Sequence, residues 1–340
     1  MRKDVDDWWE YGWVFHAMNT NKRSVTLDLH TDEGIGLIKT LIAQADVVIE
    51  NFSPRVMDQF GLGADTLLEL NPRLVVVRMP AFGLTGPWRD RVGFAPTMEQ
   101  IAGLAWVTGV PDGLPVAPRG ACDPLAGTHA AFALMAGLEF ADRTGRGQLV
   151  EVPMVESVLN VTAVQPMEFE TFGSILERRG NKGHHPGETQ DVYRCAGDDS
   201  WIAVTARTDG ERDALDALMG GPGREPAQWF ATQDAATVVE KLVDAGVPAA
   251  VVISPSVVIE NPQLAHRGFF ESLVHPSTGP GLYPCPPFAK PAGVDTWLHR
   301  PPPTLGQHNS EVLTELCGLT DADLERLTAD GVIGTRPKGL

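Results

Sequence analysis

Asp123 is the side chain in this sequence best placed to do covalent chemistry. It stands in the stretch GACDPLAG, from Gly120 to Gly127, directly before a long apolar run that predicts a helix. A carboxylate can act as a covalent nucleophile, and at a helix start it is held ionised by backbone N–H groups and the helix dipole. Asp is also a favoured N-cap residue, and by residue type alone capping is its commoner role. The residues themselves leave both roles open.

Several other enzyme classes lack their motifs here. No Ser stands in a GxSxG elbow, no GxxxxGKS/T loop occurs, and no GxGxxG follows a predicted strand. Cys122, Cys195, Cys285 and Cys317 are far apart and show no metal-ligand spacing. They are interpreted as reduced thiols of a cytoplasmic protein, and no metal site is predicted.

The overall charge limits which partners the chain can bind. It has 44 Asp and Glu against 27 Lys and Arg, a formal charge of −17, which repels nucleic acid and anionic membranes. No apolar run approaches the roughly 20 residues needed to span a bilayer, and the charged, Trp-bearing start is unlike a signal peptide. An anionic ligand would therefore need a local basic lining.

Alternating helical and apolar segments predict the elements that position Asp123. Helical spacing over 31–45 precedes the apolar stretch 47–49, and a helix over 64–70 precedes the β-branched run 74–77. Such alternation is typical of an α/β fold with a doubly wound parallel sheet. The loop 82–87, FGLTGP, then follows a strand, which is where open α/β sheets bind ligands.

Three ranges are expected along the chain. Residues 1–178 form the first part of a large α/β domain, whose helix over 124–142 has Asp123 as N-cap and which continues as a strand over 148–152 and a helix from Met154. Residues 179–275 form a small α+β domain with a hairpin over 191–206. Residues 276–340 form a proline-rich connector and a C-terminal segment that returns to the large domain.

Seven motifs in order and in register give the chain a resemblance to a known family. They are NTNKRSVTLDL from Asn19, ADVVIENFSP from Ala45, LNPRL from Leu70, FGLTGP from Phe82, TGRGQ from Thr144, AGVP from Ala245 and LGQHN from Leu305. Together they resemble the family III CoA-transferases, also called the CaiB/BaiF or formyl-CoA transferase family. The match runs over nearly the whole chain. It implies a Rossmann-like large domain with a parallel sheet, formed from both ends of the chain, and a smaller α+β domain inserted between them.

The resemblance implies a function for Asp123. In that family the aspartate before the long helix attacks an acyl-CoA thioester to give a mixed anhydride, CoA thiolate converts the anhydride to an aspartyl-CoA thioester, and an acceptor carboxylate opens it. The expected partners are acyl-CoA and carboxylic acid substrates, with no permanently bound cofactor, and the family's interlocked architecture implies a homodimer.

The resemblance also implies a binding surface for CoA. It points to Asn51 and Phe52 after a strand and to Met18, Lys22 and Arg23 near the opening motif, where the two cations would supply the basic lining. Arg55, Arg78 and Arg89 are weaker candidates for that lining. The segment NKGHHPG over 181–187 falls where formyl-CoA transferase has a glycine-rich lid but departs from its run of glycines, and His184 and His185 have no assigned role.

Three alternatives remain open. An α-methylacyl-CoA racemase of the same fold would need a histidine where this chain has Phe94, and phenylalanine cannot transfer a proton. Family members usually carry a strand–helix–strand unit before the opening motif. Since that motif comes almost at once here, the chain could be an inactive paralogue or a subunit that needs a second related chain. The aromatic stretch 8–15 would then cover exposed sheet surface or bind the partner.

Overall fold

A computed structural model describes residues 4–183, 187–285 and 293–339. The helices are α1 (Trp13–Met18), α2 (Asp32–Ile42), α3 (Pro54–Gln59), α4 (Ala64–Leu70), α5 (Ala95–Ile101), α6 (Leu104–Val107), α7 (Cys122–Thr144), α8 (Met154–Val161), α9 (Val164–Phe172), α10 (Asp209–Met219), α11 (Pro226–Phe230), α12 (Ala235–Asp244), α13 (Pro262–His266), α14 (Asn309–Cys317) and α15 (Asp321–Ala329). The strands are β1 (Val47–Glu50), β2 (Val75–Arg78), β3 (Gln148–Glu151), β4 (Thr189–Arg194), β5 (Trp201–Ala206), β6 (Ala249–Val251), β7 (Phe270–His275) and β8 (Gly279–Pro284). Two 3₁₀ segments, Trp8–Tyr11 and Pro255–Glu260, complete the set.

The chain folds into two compact units, each built from separate stretches of sequence. The first comprises Met1–Gly93, Asp123–Ser157 and Glu260–Leu340, and the second comprises Phe94–Cys122 and Val158–Ile259. These ranges differ from the domain ranges expected from the sequence, because residues 94–122 and 158–178 belong to the second unit. The division into 1–178, 179–275 and 276–340 stays a prediction.

A parallel sheet in the order β1-β2-β3 organises the first unit. All four residues of β2 are buried, as the β-branched run predicted for a strand covered on both faces. Thr31 caps α2 by accepting a hydrogen bond from the N–H of Gly34 at 3.1 Å. Helices α2 and α4 precede β1 and β2 as expected, so the α/β prediction is confirmed.

The C-terminal helices complete the first unit. Leu313 of α14 and Leu327 of α15 are buried, and the partly buried Val25 and Leu27 of the opening segment pack against them. The β7–β8 hairpin was not predicted, because its second strand reads GPGLYP, and Gly and Pro within a run argue against a strand except where pairing is one-sided.

The second unit contains an antiparallel sheet in the order β4-β5-β6, against which α10, α11 and α12 pack. Alternate residues of β5 are buried, among them Ile202 and Val204, and they pack with Phe230 and Leu242. The hairpin between β4 and β5 lies where the sequence predicted it. Within the part of the chain described, no helix has the length and apolar character to cross a membrane.

Candidate active site

Helix α7 carries Asp123 and runs antiparallel to β2. Near its C-terminal end, Arg73 Nη2 donates to Asp142 Oδ1 at 3.0 Å, and earlier in the helix Gly137 lies so close to Val75 that a Cβ there would meet the Val75 Cγ1 at 2.8 Å. Residues later in α7 thus lie next to residues earlier along the chain toward β2, so the helix and the strand run in opposite directions. The start of α7 therefore points toward the carboxyl ends of the strands. That end of an α/β sheet is where ligands bind.

Asp123 is exposed and lies in the first turn of α7. The helix begins at Cys122, two residues before the predicted start at Pro124, so Asp123 is a helical residue and not the N-cap. It stands about 21 Å along the axis from Gly137, at 1.5 Å per residue, whereas β2 extends only about 10 Å from Val75 to Arg78. Asp123 therefore lies beyond the strand ends.

A buried carboxylate in the second unit, that of Glu99, accepts hydrogen bonds from the backbone N–H groups that lead into α7. Glu99 of α5 is 0% exposed. Its Oε1 accepts hydrogen bonds from the N–H groups of Gly120 (2.9 Å), Ala121 (2.8 Å) and Cys122 (3.3 Å), and its Oε2 accepts one from Arg119 (2.8 Å). Burial acts to raise the pKa of Glu99, but the four hydrogen bonds outweigh burial and the pKa lies below its ordinary value.

Sequence reasoning missed Glu99. The signal in the sequence is an acidic residue inside the apolar helix Ala95–Ile101, next to the buried Met98. A charge in such a place demands partners. Those partners are backbone amides, which leave no trace in the residue types.

The turn after β1 presents Asn51 and Phe52, both exposed. Glu50 and Arg78, neighbours in register on β1 and β2, form a buried ion pair with 2.6 Å between Oε1 and Nε. The other Glu50 oxygen accepts from the N–H of Phe52 at 2.7 Å, and Arg78 Nη2 donates to the carbonyl of Pro54 at 2.7 Å. Arg78 thus shapes this turn from within and does not line its surface.

The two cations of the opening motif have different partners. Lys22 Nζ donates to two neutral oxygens, the Met18 carbonyl at 3.1 Å and Asn19 Oδ1 at 3.0 Å. Arg23 forms ion pairs with Glu315 at 2.7 Å and Glu311 at 3.1 Å, and the hydrogen bonds that it donates to these carboxylates, Glu315 first, raise its pKa. Lys22 is therefore the better of the two for binding an anion.

The loop after β2 is fixed to the next strand. The N–H of Leu84 donates to Glu151 Oε1 of β3 at 2.6 Å, and Phe82 packs edge-on against Trp88 with 5.6 Å between ring centroids. Arg89 donates to the Leu84 carbonyl at 2.9 Å. This loop shares the strand-end side of the sheet with Asn51 and Phe52.

Within the first unit, the sheet thus brings the Asn51–Phe52 turn and the start of α7 to its carboxyl-end side. Met18 and Lys22 belong to a different segment, which is anchored to the C-terminal part of the chain through Arg23. Arg55 is exposed on α3. Phe94, the racemase position, is 73% exposed at the start of α5 in the second unit.

Other predicted features can be placed as follows. His184 and His185 lie outside the described residues. Cys122, Cys195 and Cys285 are buried and Cys317 is partly buried. Among the described residues, no group of three His, Cys, Asp or Glu side chains is arranged to hold a metal ion.

Known proteins resemble this chain over nearly its whole length. It is 33% identical to a succinyl-CoA–D-citramalate CoA-transferase of Chloroflexus aurantiacus, covering 96% of this chain and 84% of that protein. It is 29% identical to the beta subunit of a succinyl-CoA–L-malate CoA-transferase from the same organism, covering 92% and 83%. The crystal structure of a CaiB/BaiF family protein from Brucella suis superposes with a TM-score of 0.78 at 28% identity, covering 89% and 83%. The sequence profile of CoA-transferase family III matches residues 2–309. The chain belongs to CoA-transferase family III, and the prediction of a CoA-transferase is confirmed.

Proposed function

We propose that this protein moves CoA from an acyl-CoA thioester to a carboxylic acid through covalent intermediates on Asp123. The observation that carries the proposal is an exposed carboxylate in the first turn of α7, beyond the carboxyl ends of the parallel strands, in a member of this family. An exposed carboxylate is accessible to a thioester carbonyl and can act as a covalent nucleophile.

The chemistry needs four attacks. The Asp123 carboxylate adds to the thioester carbonyl and CoA thiolate leaves, which gives a mixed anhydride. The thiolate attacks the Asp123 carbonyl and releases the donor acid, leaving an aspartyl-CoA thioester. The acceptor carboxylate then displaces the thiolate to form a second anhydride. Attack by the thiolate on the acceptor carbonyl yields the new acyl-CoA and restores Asp123.

We assign binding of the CoA moiety to Met18 and Lys22 of the opening segment and to Asn51 and Phe52 of the turn after β1. Among the described residues, the Lys22 ammonium has neutral oxygens as its partners, so a phosphate group can pair with it. Phe52 is 49% exposed and offers an apolar face to the pantetheine or the base. Arg23 contributes less, because Glu311 and Glu315 already balance its charge.

Self-association is the second part of the proposal. No residue of α9 is buried, and Met167 and Phe172 are 63% and 73% exposed. In the aromatic stretch near the start, Tyr11 donates to the Ser277 carbonyl at 3.1 Å, whereas Trp13 is 81% exposed. Exposed apolar surface of this kind marks an interface, either with a second copy or with a related chain, as in the relative named a beta subunit.

Peptide mass spectrometry after quenching tests the role of Asp123. The protein is incubated with succinyl-CoA, acetyl-CoA or formyl-CoA and then trapped with hydroxylamine. We expect a CoA thioester or hydroxamate on the peptide bearing Asp123 and its loss in Asp123→Ala. Asp142→Ala, at the other end of the same helix, is the matched control and should label normally. CoA binding without a label from any donor would instead support an inactive paralogue or a subunit that needs a second chain.

A further inference from the structure

We infer that Glu99 is a positioning residue for Asp123, which it aligns by holding the four backbone amides that come directly before it. The inference rests on the proposed function, because it gives Glu99 a part in the same reaction. It starts from the convergence of four successive N–H groups, 119 to 122, on one carboxylate. Asp123 is the next residue along the chain.

Hydrogen bonds from these amides compensate for the burial of the Glu99 charge. Glu99 is fully buried, and within residues 4–183, 187–285 and 293–339 no Lys, Arg or His forms an ion pair with it. A buried carboxylate without compensation is strongly disfavoured, so the segment 119–122 must keep its amides in place for Glu99 to stay buried. The amides thus stabilise the buried carboxylate, and the carboxylate in turn fixes the backbone of residues 119–122.

The backbone of this segment adopts a conformation that needs such support. Arg119 has a φ of 63° and Gly120 a φ of 136°, and a non-glycine residue with positive φ is uncommon. Cys122 is anchored a second time, because its buried sulfur lies 3.7 Å from the sulfur of Met98. Covalent catalysis loses about 100-fold in rate when a reacting group is misplaced by about 1 Å, so a fixed approach to Asp123 has catalytic value.

Backbone N–H groups at a helix start stabilise a nearby anion, and here Glu99 accepts from those of Arg119 to Cys122. One buried side chain therefore fixes the backbone that enters α7, directly before the residue proposed to react.

Three variants test the inference with the donor that labels Asp123 in the wild type. Glu99→Gln removes the charge and places an amide donor where an acceptor is needed. Glu99→Asp keeps the charge but draws it back by one methylene. Gln100→Ala changes the exposed neighbour on the same helix and is the control. Each is assayed for kcat, for KM toward the acyl-CoA and for the rate of adduct formation on Asp123.

We expect Glu99→Gln to lower kcat and the rate of adduct formation by about 10- to 100-fold, with KM changed less than about 3-fold because Glu99 is not part of the proposed CoA surface. Glu99→Asp keeps the acceptor oxygens but shortens their reach to the amides, so it should lose less rate than Glu99→Gln, and Gln100→Ala should match the wild type.

A purely structural Glu99 predicts a different result. Glu99→Gln and Glu99→Asp would then yield less folded protein, but the folded fraction, counted by labelling of Asp123, would react at the wild-type rate. That result overturns the inference and leaves the proposed function standing. Absence of any label on wild-type Asp123 overturns the proposed function itself. If Glu99→Gln does not fold, the kcat and the rate of adduct formation of Glu99→Asp decide.

Discussion

Glu50 and Glu99 are both buried carboxylates next to candidate functional segments, but different partners keep them buried. Glu50, in the first unit, faces the guanidinium of Arg78 across two paired strands and also accepts the N–H of Phe52. Glu99, in the second unit, has backbone amides as its partners in the segment that leads into α7. One charge is neutralised by an opposite charge, the other by hydrogen bonds alone.

The difference determines which substitutions each arrangement tolerates. Arg78 can be removed by a single change, and Glu50 then stays buried without its counter-charge. The amides around Glu99 persist whatever side chains stand at 119–122, proline excepted, since proline lacks the N–H. The ion pair therefore depends on two side chains, whereas the amide cluster depends on one side chain and on the path of the backbone.

The largest effect is expected from Arg78→Met. It should lower the free energy of unfolding by about 3–5 kcal/mol, because a buried charge loses its partner. The double variant Glu50→Gln with Arg78→Met should recover most of that loss, since no buried charge remains. Urea denaturation of wild type, both single variants and the double variant measures the coupling between the two residues.

Binding of CoA gives this experiment a second readout. Because Glu50 and Arg78 shape the turn that presents Asn51 and Phe52, the double variant should remain folded but bind CoA more weakly. Equal losses of stability in Arg78→Met and in the double variant would contradict the account, since they would mean that Glu50 does not need its counter-charge.

The sequence predicted regular elements better than it predicted these two carboxylates. The helix over 64–70 and the parallel strands were recognised because their apolar patterns follow directly from burial. The strand Gly279–Pro284 was missed because its glycines and prolines resemble a loop. Patterning therefore identified elements whose own side chains make the core.

The candidate site shows the same limit. Asp123 was found through the motif around it, and its role stays a prediction. Arg78 was considered only as a surface cation because its partner Glu50 is 28 residues away, and Glu99 was missed because its partners are main-chain atoms. Arg23 was expected to line the CoA site, although Glu311 and Glu315, close to it only in the folded chain, balance its charge.

An intermediate effect is expected from acid titration of Glu99. At neutral pH, Glu99→Gln should lower the free energy of unfolding by about 1–3 kcal/mol, because the N–H of Arg119 then faces an amide donor in a buried site. The pKa of Glu99 is depressed below its ordinary value of 4.5, so in the folded protein the ionised form is favoured. Its contribution is complete above pH 4.5 and is lost as the pH falls through the depressed pKa.

The stability difference between wild type and Glu99→Gln should therefore be constant from neutral pH down to about 5 and shrink below that. Urea titrations at a series of pH values measure it, and taking the difference cancels the other carboxylates that titrate in both proteins. A difference that stays constant into the acid range would show that the amide cluster does not favour the charged form.

The smallest effect is expected from Arg326→Met, which breaks an ion pair with the same chemistry as Glu50–Arg78 but in water. Arg326 donates to both oxygens of Glu33, at 2.7 and 3.0 Å, and both side chains are about half exposed (49% and 48%). Exposed pairs of this kind contribute little, because water solvates either partner after the other is removed, so the urea midpoint should stay close to that of the wild type. Salt should reduce even this difference, whereas the loss in Arg78→Met should persist at high salt because its cause is a buried charge. Equal salt sensitivity of the two variants would show that the burial of Glu50 does not set its need for Arg78.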